Sequence, residues 1–276
     1  MKTSMRHALF RCCVTALHLP EYEQATDAVL AGLELNTVPV KEFGCCGYPL
    51  RNVDQMAWLL ASGRNLALAE AYDSSIVTVC NCCYGTLKHC AWILSRDETL
   101  RDHVNDSLRK EGLRYVGTAK VRHFFEVLNE DVGGERLKEK MRQSADGLGV
   151  AIHYGCRILR PSGILGMDNP FHPTLLDTFV EAVGARSVNW KRKTDCCGAP
   201  VMTTDKELSA TMAESKVAAA RKADAEAICV ACPFCQLRLA KMEQEGPALP
   251  VISFPLLLAM GMEKNEGRFS DLARRS

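Results

Sequence analysis

The residues of this sequence with the clearest capacity for chemistry are its cysteines, which fall into two sets with the same internal order. The chain of 276 residues contains 14 cysteines. Each set consists of a single cysteine, then a Cys-Cys-Gly sequence, then a C-x-x-C sequence, at similar intervals. A pattern repeated over such distances predicts a duplicated domain. The first set is Cys13, Cys45, Cys46, Cys80 and Cys83, and the second is Cys156, Cys196, Cys197, Cys232 and Cys235.

Three kinds of chemistry suit so many thiols: disulfides, zinc and iron–sulfur clusters. Disulfide frameworks are typical of secreted proteins, and the basic opening of this sequence is not followed by the apolar segment of a secretory signal. We therefore expect a cytoplasmic location and reduced thiols. Zinc prefers four tetrahedral ligands, whereas each set offers five thiols, two of them adjacent, which favours a cluster of several irons. A zinc-stabilised scaffold is the alternative.

Two further details concern the same residues. A glycine follows each cysteine pair, at Gly47 and Gly198, and we interpret it as allowing the backbone to pass close to inorganic sulfide. Cys229 precedes Cys232 and Cys235 with the spacing that begins a bacterial ferredoxin sequence, but the position of the fourth ligand is Leu239. A conventional ferredoxin cubane would therefore need a ligand from elsewhere in the chain.

The elements that must position these cysteines are predicted to be short parallel strands followed by helices. Apolar runs at 8–10, 76–79, 150–152 and 227–230 lead directly to cysteines. Asn52 with Gln55, and Thr204 with Glu207, have the spacing of capping boxes that begin helices. Strands alternating with helices predict an α/β class of two tandem, similar, Rossmann-like domains, over residues 1–147 and 148–276, with sites beyond the carboxyl ends of the strands. The charged stretch at 97–146 predicts solvated helices, and residues 263–276 a frayed tail.

Composition and missing motifs exclude several functions. The 34 basic and 33 acidic residues leave a net charge of +1, so nucleic acid is not an expected partner. The longest apolar runs, such as 254–262, are too short to span a membrane. The sequence has no G-x-G-x-x-G and no Walker A sequence, so flavin or nucleotide binding within this chain has no support.

The surroundings of the cysteines resemble those of a known family. The chain is similar to the B subunits of heterodisulfide reductases and of heterodisulfide-reductase-like complexes, in the cysteine-rich CCG-domain family. The resemblance covers nearly the whole chain. It lies in the two complete cysteine sets and in four stretches: T-V-C-N-C-C-Y-G at 78–85, H-Y-G-C-R at 153–157, C-C-G-A at 196–199 and C-P-F-C at 232–235.

The resemblance implies two noncubane [4Fe-4S] clusters, one in each domain, that face a shared substrate cavity. Their ligands would be the five thiolates of each set, with Cys13 preferred to Cys12 in the first. It also implies a catalytic subunit that cleaves or forms an S–S bond of a disulfide or thiol substrate between the clusters, in two one-electron steps. The implied partners are a ferredoxin-like C subunit, which would deliver electrons, and a flavoprotein A subunit.

Several roles stay open at this stage. Cys12 and Cys82 depart from the family pattern, and they are either alternative ligands or holders of substrate sulfur, or small buried thiols like Cys90 and Cys229. His153 either donates a hydrogen bond or proton near the second cluster or packs at a strand end. The complex works reductively, or oxidatively in a sulfur-oxidising heterodisulfide-reductase-like complex. An iron–sulfur electron-transfer module without its own substrate is the hypothesis from another class.

Overall fold

The computed structural model describes residues 6–142, 145, 147–243 and 249–262, and these form two α/β halves of the same topology. Each half contains a parallel four-stranded sheet, with strand order β2-β1-β3-β4 in the first and β6-β5-β7-β8 in the second. The predicted α/β class and the tandem duplication are therefore confirmed. The strands are β1 His7–Leu9, β2 Thr37–Val38, β3 Ser75–Thr78, β4 Val121–His123, β5 Gly149–His153, β6 Arg186–Ser187, β7 Ala227–Val230 and β8 Val251–Ser253.

Helices connect the strands and cover the sheets, as right-handed crossovers between parallel strands require. Short 3-10 turns at Tyr48–Leu50 and Ala199–Val201 follow the two Cys-Cys-Gly sequences, and a π-helical turn spans Leu128–Val132. The helices are α1 Cys13–His18, α2 Pro20–Gly32, α3 Gln55–Ala71, α4 Asn81–Leu94, α5 Glu98–Leu108, α6 Phe124–Val127, α7 Gly134–Lys140, α8 Ser162–Leu165, α9 Leu175–Ala182, α10 Lys206–Arg221, α11 Pro233–Glu243 and α12 Phe254–Met262.

The predicted capping boxes of α3 and α10 are wrong, because aspartates one or two residues further along begin both helices. The Asp54 carboxylate accepts a hydrogen bond from Ala57 N at 2.9 Å, and Asp205 accepts one from Leu208 N at 2.9 Å. Asn52 and Thr204 lie in the preceding turns instead. An ionised carboxylate at the N-cap satisfies a free backbone N–H and also complements the helix dipole.

The charged stretch at 97–146 contains more than the solvated helices that its composition predicted. It holds the edge strand β4 and the buried helix α6, with α5 and α7 on either side. Strand β4 has no apolar pattern in the sequence, because two of its three residues are Arg122 and His123. Arg122 is buried and paired with Asp131 at 2.6 Å and with Glu130 at 2.8 Å, so its charge is neutralised within the fold. The predicted tail at 263–276 lies outside the described residues.

The two halves share one hydrophobic core. Helix α12 of the second half packs against α2 of the first. Phe125 of α6, Phe179 of α9 and Phe254 of α12 form an aromatic cluster across the halves, with 4.6 Å between the ring centres of Phe125 and Phe254. The boundary between residues 147 and 148 stays a prediction. Among the described residues, no helix combines the length and the apolar character needed to cross a membrane.

Candidate metal centres

The cysteines of the first set gather where β1 and β3 end and their helices begin. Cys12 is the N-cap of α1 and Cys80 the N-cap of α4, with Cys83 in the first turn of α4. The Sγ atoms of these three buried thiols lie within 4.8 Å of one another. Cys46 contacts Cys83, and Cys45 contacts Cys46. Cys13, which is exposed, contacts Cys12, so Cys12 links the preferred ligand to the rest of the set.

The second set has the same arrangement at the ends of β5 and β7. Its thiols form a continuous series of contacts from Cys156 through Cys196, Cys197 and Cys235 to Cys232. His153, the last residue of β5, lies with Nε2 at 3.2 Å from the Sγ atom of Cys235. His153, Cys197 and Cys235 also place their ligand atoms within 4.8 Å of one another. The structure thus places this histidine beside the second set and also fully buried at the strand end, so its role stays a prediction.

The two sets meet across the boundary between the halves. The Sγ atoms of Cys80, the N-cap of α4, and of Cys82 in its first turn lie within 4.8 Å of that of Cys232. Cys82 also lines a small cavity of about 40 Å³ together with the thiols of the second set. Tyr48 from the first half and Arg157 from the second contribute to its wall. The cavity therefore lies between the halves, with the second set and Cys82 in its wall.

The glycine after each cysteine pair is required by the local fold, and its close approach to sulfide stays a prediction. Gly47 and Gly198 have φ values of +83° and +88°, in the region that favours glycine. A Cβ atom at Gly198 would lie 2.7 Å from the carbonyl oxygen of Ser209 in α10, and one at Gly47 would lie 2.9 Å from the Trp58 ring in α3. These glycines are required by the turn and by packing on the next helix.

The same turns direct backbone donors at the thiols. The N–H groups of Gly47 and Gly198 donate to the Sγ atoms of Cys45 and Cys196, both at 3.4 Å. Contacts with Cys156 and Cys197 lower the pKa of Cys196. The pKa of Cys156 is raised by the contact of Cys156 with Cys196. Backbone N–H donors and helix N-termini stabilise thiolates. Each turn therefore supplies one N–H group that stabilises negative charge on a sulfur atom.

The remaining cysteines are not part of either set. Cys90 is buried in α4, with its Sγ atom 3.7 Å from the carbonyl oxygen of Leu59. Cys229 lies within β7, where burial alone raises the pKa of its thiol. The ferredoxin-like spacing therefore combines a thiol within a buried strand with two thiols beyond its end, and Cys229 is in none of the three metal-ligating groups found among the described residues.

Sequence reasoning missed the non-cysteine wall of the cavity. The Arg157 guanidinium lies 5.5 Å from the centre of the Tyr48 ring, and that ring lies 5.8 Å from the ring of Phe234. Asn81 donates through Nδ2 to the carbonyl oxygen of Tyr154 at 2.7 Å and so joins the halves beside the cavity. Each of these residues adjoins a cysteine sequence, and that adjacency is the signal that could have found them.

The donor sets fit iron–sulfur chemistry better than a hard cation. The three groups of metal-ligating side chains among the described residues consist of buried cysteines, with His153 as the one other member. Thiolates are the usual ligands of iron–sulfur clusters, whereas carboxylates, which hard cations prefer, do not contribute to these groups. Each half supplies five thiols of its own, in the same order along the sequence.

Comparisons with known proteins agree with this duplicated site. The sequence profile of the cysteine-rich domain called CCG matches residues 7–88 and 150–240. The chain is 36% identical over 266 residues to the B subunit of the ferredoxin/F420H2-dependent CoB-CoM heterodisulfide reductase of Methanosarcina acetivorans, covering 92% of this chain and 88% of that protein. It is 30% identical over 271 residues to a protein of Archaeoglobus profundus described as similar to the B subunit of heterodisulfide reductase, covering 94% and 91%.

Two other relatives broaden the comparison. The 8-methylmenaquinol:fumarate reductase membrane anchor subunit of Wolinella succinogenes is 30% identical over 269 residues, covering 94% of this chain and 93% of that protein. The crystal structure of a hypothetical protein from Helicobacter pylori shares the fold, with a TM-score of 0.75 and 17% identity. That match covers 97% of this chain and 50% of the other. The extent of the sequence matches shows that the chain belongs to the cysteine-rich CCG-domain family that includes the B subunits of heterodisulfide reductases.

Proposed function

We propose that the chain is the catalytic iron–sulfur subunit of a heterodisulfide reductase or a similar complex. One observation carries the proposal: the two sets of five thiols meet across the halves, where the Sγ atoms of Cys80 of the first set and Cys232 of the second lie within 4.8 Å of each other. A cavity lined by Cys82 and by the second set lies beside this contact. Cleaving a disulfide takes two electrons, and two adjacent one-electron centres match that number. The proposed location is the cytoplasm, where these thiols stay reduced.

The proposed ligands are the five thiolates of each set, and the proposed cofactors are two noncubane [4Fe-4S] clusters. When bound, each would supply one electron and an iron site for sulfur. The chain's own residues do the remaining work. Tyr48 and Phe234 provide apolar walls that exclude water from the cavity, and Arg157 places a positive charge beside the sulfur atoms. His153 holds a hydrogen bond to Cys235, which orients that thiolate.

The electrons for the reaction must come from outside the chain, since the sequence has no nucleotide-binding motif. We propose a ferredoxin-like C subunit as the electron donor and a flavoprotein A subunit as its partner. The relatives named as subunits of heterodisulfide and fumarate reductases support work within a multisubunit complex. The substrate is then a disulfide in the reductive direction, or thiols in an oxidative, sulfur-oxidising complex.

The test is metal analysis of the anaerobically purified protein together with one matched pair of variants. We expect about eight irons per chain with equal sulfide, the content of two four-iron clusters. Cys197→Ala should lower iron content and abolish disulfide reduction by the assembled complex with reduced dye. Cys229→Ala, at a buried thiol outside both sets, should retain both. Zinc without sulfide, or full activity of Cys197→Ala, would refute the proposal.

A second candidate function is electron transfer without a substrate of its own. The relative named as a membrane anchor subunit of a fumarate reductase supports it, because fumarate is not a disulfide. The two candidates differ in what the cavity binds. If the loaded protein transfers electrons to a partner but neither thiols nor disulfides change the spectrum of its clusters, the second candidate is correct.

A further inference from the structure

Lys216 is a charged side chain buried behind the second cysteine set, and the proposed reaction gives it no role. It lies in α10 with none of its surface exposed. Its Nζ atom donates to the carbonyl oxygen of Arg192 at 2.5 Å and lies 5.2 Å from the centre of the Trp190 ring. Burial lowers its pKa to about 8, which leaves it charged at neutral pH.

Among the side chains that the structure describes, no carboxylate pairs with the lysine. Across residues 6–142, 147–242 and 249–262, none forms an ion pair with its Nζ atom, and Asp195 is paired with Arg192 at 3.1 Å. The negative groups that act on Lys216 are the thiolates of the second set, Cys235 first among them, and Asp195. A buried ammonium group is costly unless opposite charge compensates it. The charge that compensates Lys216 therefore comes from the second cysteine set and from Asp195, which Arg192 shares.

The first half has a neutral group at the equivalent place. Lys216 is the eleventh residue after the N-cap Asp205, and the eleventh residue after the N-cap Asp54 is Asn65. Asn65 is also buried, and its amide donates to the carbonyl oxygen of Cys45 at 2.9 Å. Its Oδ1 atom accepts a hydrogen bond from Gly44 N at 2.9 Å. The duplicated halves thus hold the loops before their cysteine pairs with an amide in one case and a cation in the other.

The half-buried Arg157 does not distinguish the two sets, because its positive charge acts on Cys46 of the first set and on Cys232 of the second. Arg11, near Cys13, is paired with Glu23 at 2.5 Å and with Asp27 at 2.7 Å. Two buried cations lie beside the second set and make its surroundings different: Lys216, and Arg238 of α11, which donates to the carbonyl oxygen of Ser209 at 3.3 Å. Of these two, Lys216 is the one whose charge acts on thiols of the second set, Cys235 first.

We propose that Lys216 raises the reduction potential of the second centre, so that the first of two electrons rests there. The inference rests on the proposed function, because it assumes a cluster in each set. A one-electron donor of low potential is oxidised by one electron, and the second centre is reduced by that electron, with no bond made or broken. The reduced centre is more negative, and a cation held nearby in a medium of low dielectric constant stabilises it. Asn65 gives the first centre no such stabilisation.

The test is a redox titration of the anaerobic, cluster-loaded protein followed by electron paramagnetic resonance, with dithionite as the electron donor. In the unmodified protein we expect two centres with distinct midpoint potentials. Lys216→Met and Lys216→Gln remove the charge, and Gln keeps a donor for the carbonyl oxygen of Arg192. In both variants the higher midpoint should fall. The equilibrium constant that favours the electron on the second centre should fall by about tenfold, which is the effect of one unit charge about 12 Å away at an effective dielectric constant of about 20.

Three outcomes separate this inference from the proposed function. Iron and sulfide at the unmodified level, with both midpoints unchanged in the two neutral variants, would overturn the role of Lys216 and leave the function standing. Two centres of equal midpoint in the unmodified protein would also overturn it, whether or not the variants fold. Absence of iron and sulfide from the unmodified protein would overturn the proposed function itself. Lys216→Arg, which keeps the charge, should retain the separation of the midpoints.

Discussion

At the scale of single residues, His123 shows how burial in this fold fixes the protonation state of a side chain. The imidazole lies at the end of β4, fully buried, and its Nδ1 atom accepts a hydrogen bond from Phe125 N at 3.3 Å to cap α6. Burial lowers its pKa from 6.5 to about 3. Below pH 6.5 the unfolded chain binds a proton here and the folded chain does not. Stability present above pH 6.5 is therefore lost as the pH falls towards 3.

We expect the variant His123→Asn to be less sensitive to acid than the parent protein. Asparagine is a good N-cap but does not titrate, so the variant should lack a loss of about 2 kcal/mol in the free energy of unfolding between pH 7 and pH 5. Urea unfolding at several pH values measures the difference. His172→Asn, at an exposed histidine, is the control and should follow the parent. Identical pH profiles for His123→Asn and the parent would contradict the assignment.

At the same scale, the spacing of the cysteines predicts ten ligands but not their surroundings, and the assignment of the ligands stays a prediction. The duplicated pattern requires no knowledge of the fold, whereas the buried group of thiols in the first half contains Cys12 together with Cys80 and Cys83. Lys216 has no such signal, since a lysine in a helix with Lys206 and Glu214 is expected to face solvent. Its burial depends on which side of α10 meets the turn at Gly198, and that is a property of packing.

At the scale of elements, the long helices α3 and α10 begin at Asp54 and Asp205 rather than at the capping residues that sequence spacing predicted. We expect Asp205→Ala to lower the free energy of unfolding by about 1 kcal/mol, because it removes the acceptor for the N–H group of Leu208. Thr204→Ala should have a smaller effect, since the Thr204 hydroxyl only donates to the carbonyl oxygen of Val201, at 3.3 Å, in the preceding turn. Urea unfolding of the two variants measures both. A larger loss for Thr204→Ala would restore the capping box predicted from the sequence.

Strand β4 shows why some elements could not be predicted. The apolar runs that form β3, β5 and β7 are buried on both faces, so their hydrophobic pattern is clear. At the edge of the sheet, β4 contains Arg122 and His123, whose side-chain partners lie nearby along the chain: Arg122 donates to Glu130, and the His123 imidazole accepts from Phe125 N. Polar and charged residues so close together have no apolar strand pattern, and the stretch therefore resembles a solvated helix.

At the scale of the whole molecule, the duplication joins the two sites around one core rather than separating them. Asn81 of the first half donates to the backbone of Tyr154 in the second, beside the cavity. A Cβ atom at Gly85 would lie 2.8 Å from the carbonyl oxygen of Arg157, so the halves approach closely there as well. A cavity lined by Cys82 of the first half and by the thiols of the second keeps its shape only while the halves keep their relative position. The sequence predicted the repeat, but the contact between repeats arises from side chains that have no periodic pattern.

The aromatic cluster of Phe125, Phe179 and Phe254 tests whether the halves unfold together. Phe254 is fully buried, and its ring meets Phe125 of the other half at 90°. We expect Phe254→Ala to lower the free energy of unfolding by about 3–5 kcal/mol. Because the cluster crosses the halves, hydrogen exchange in the buried strands β3 and β7 should accelerate together. Phe171→Ala, at a phenylalanine that is 78% exposed, is the matched control and should leave both strands protected. Faster exchange in β7 alone would show that each half has an independent core, and the shared cavity would then lack the rigid support that a two-centre reaction needs.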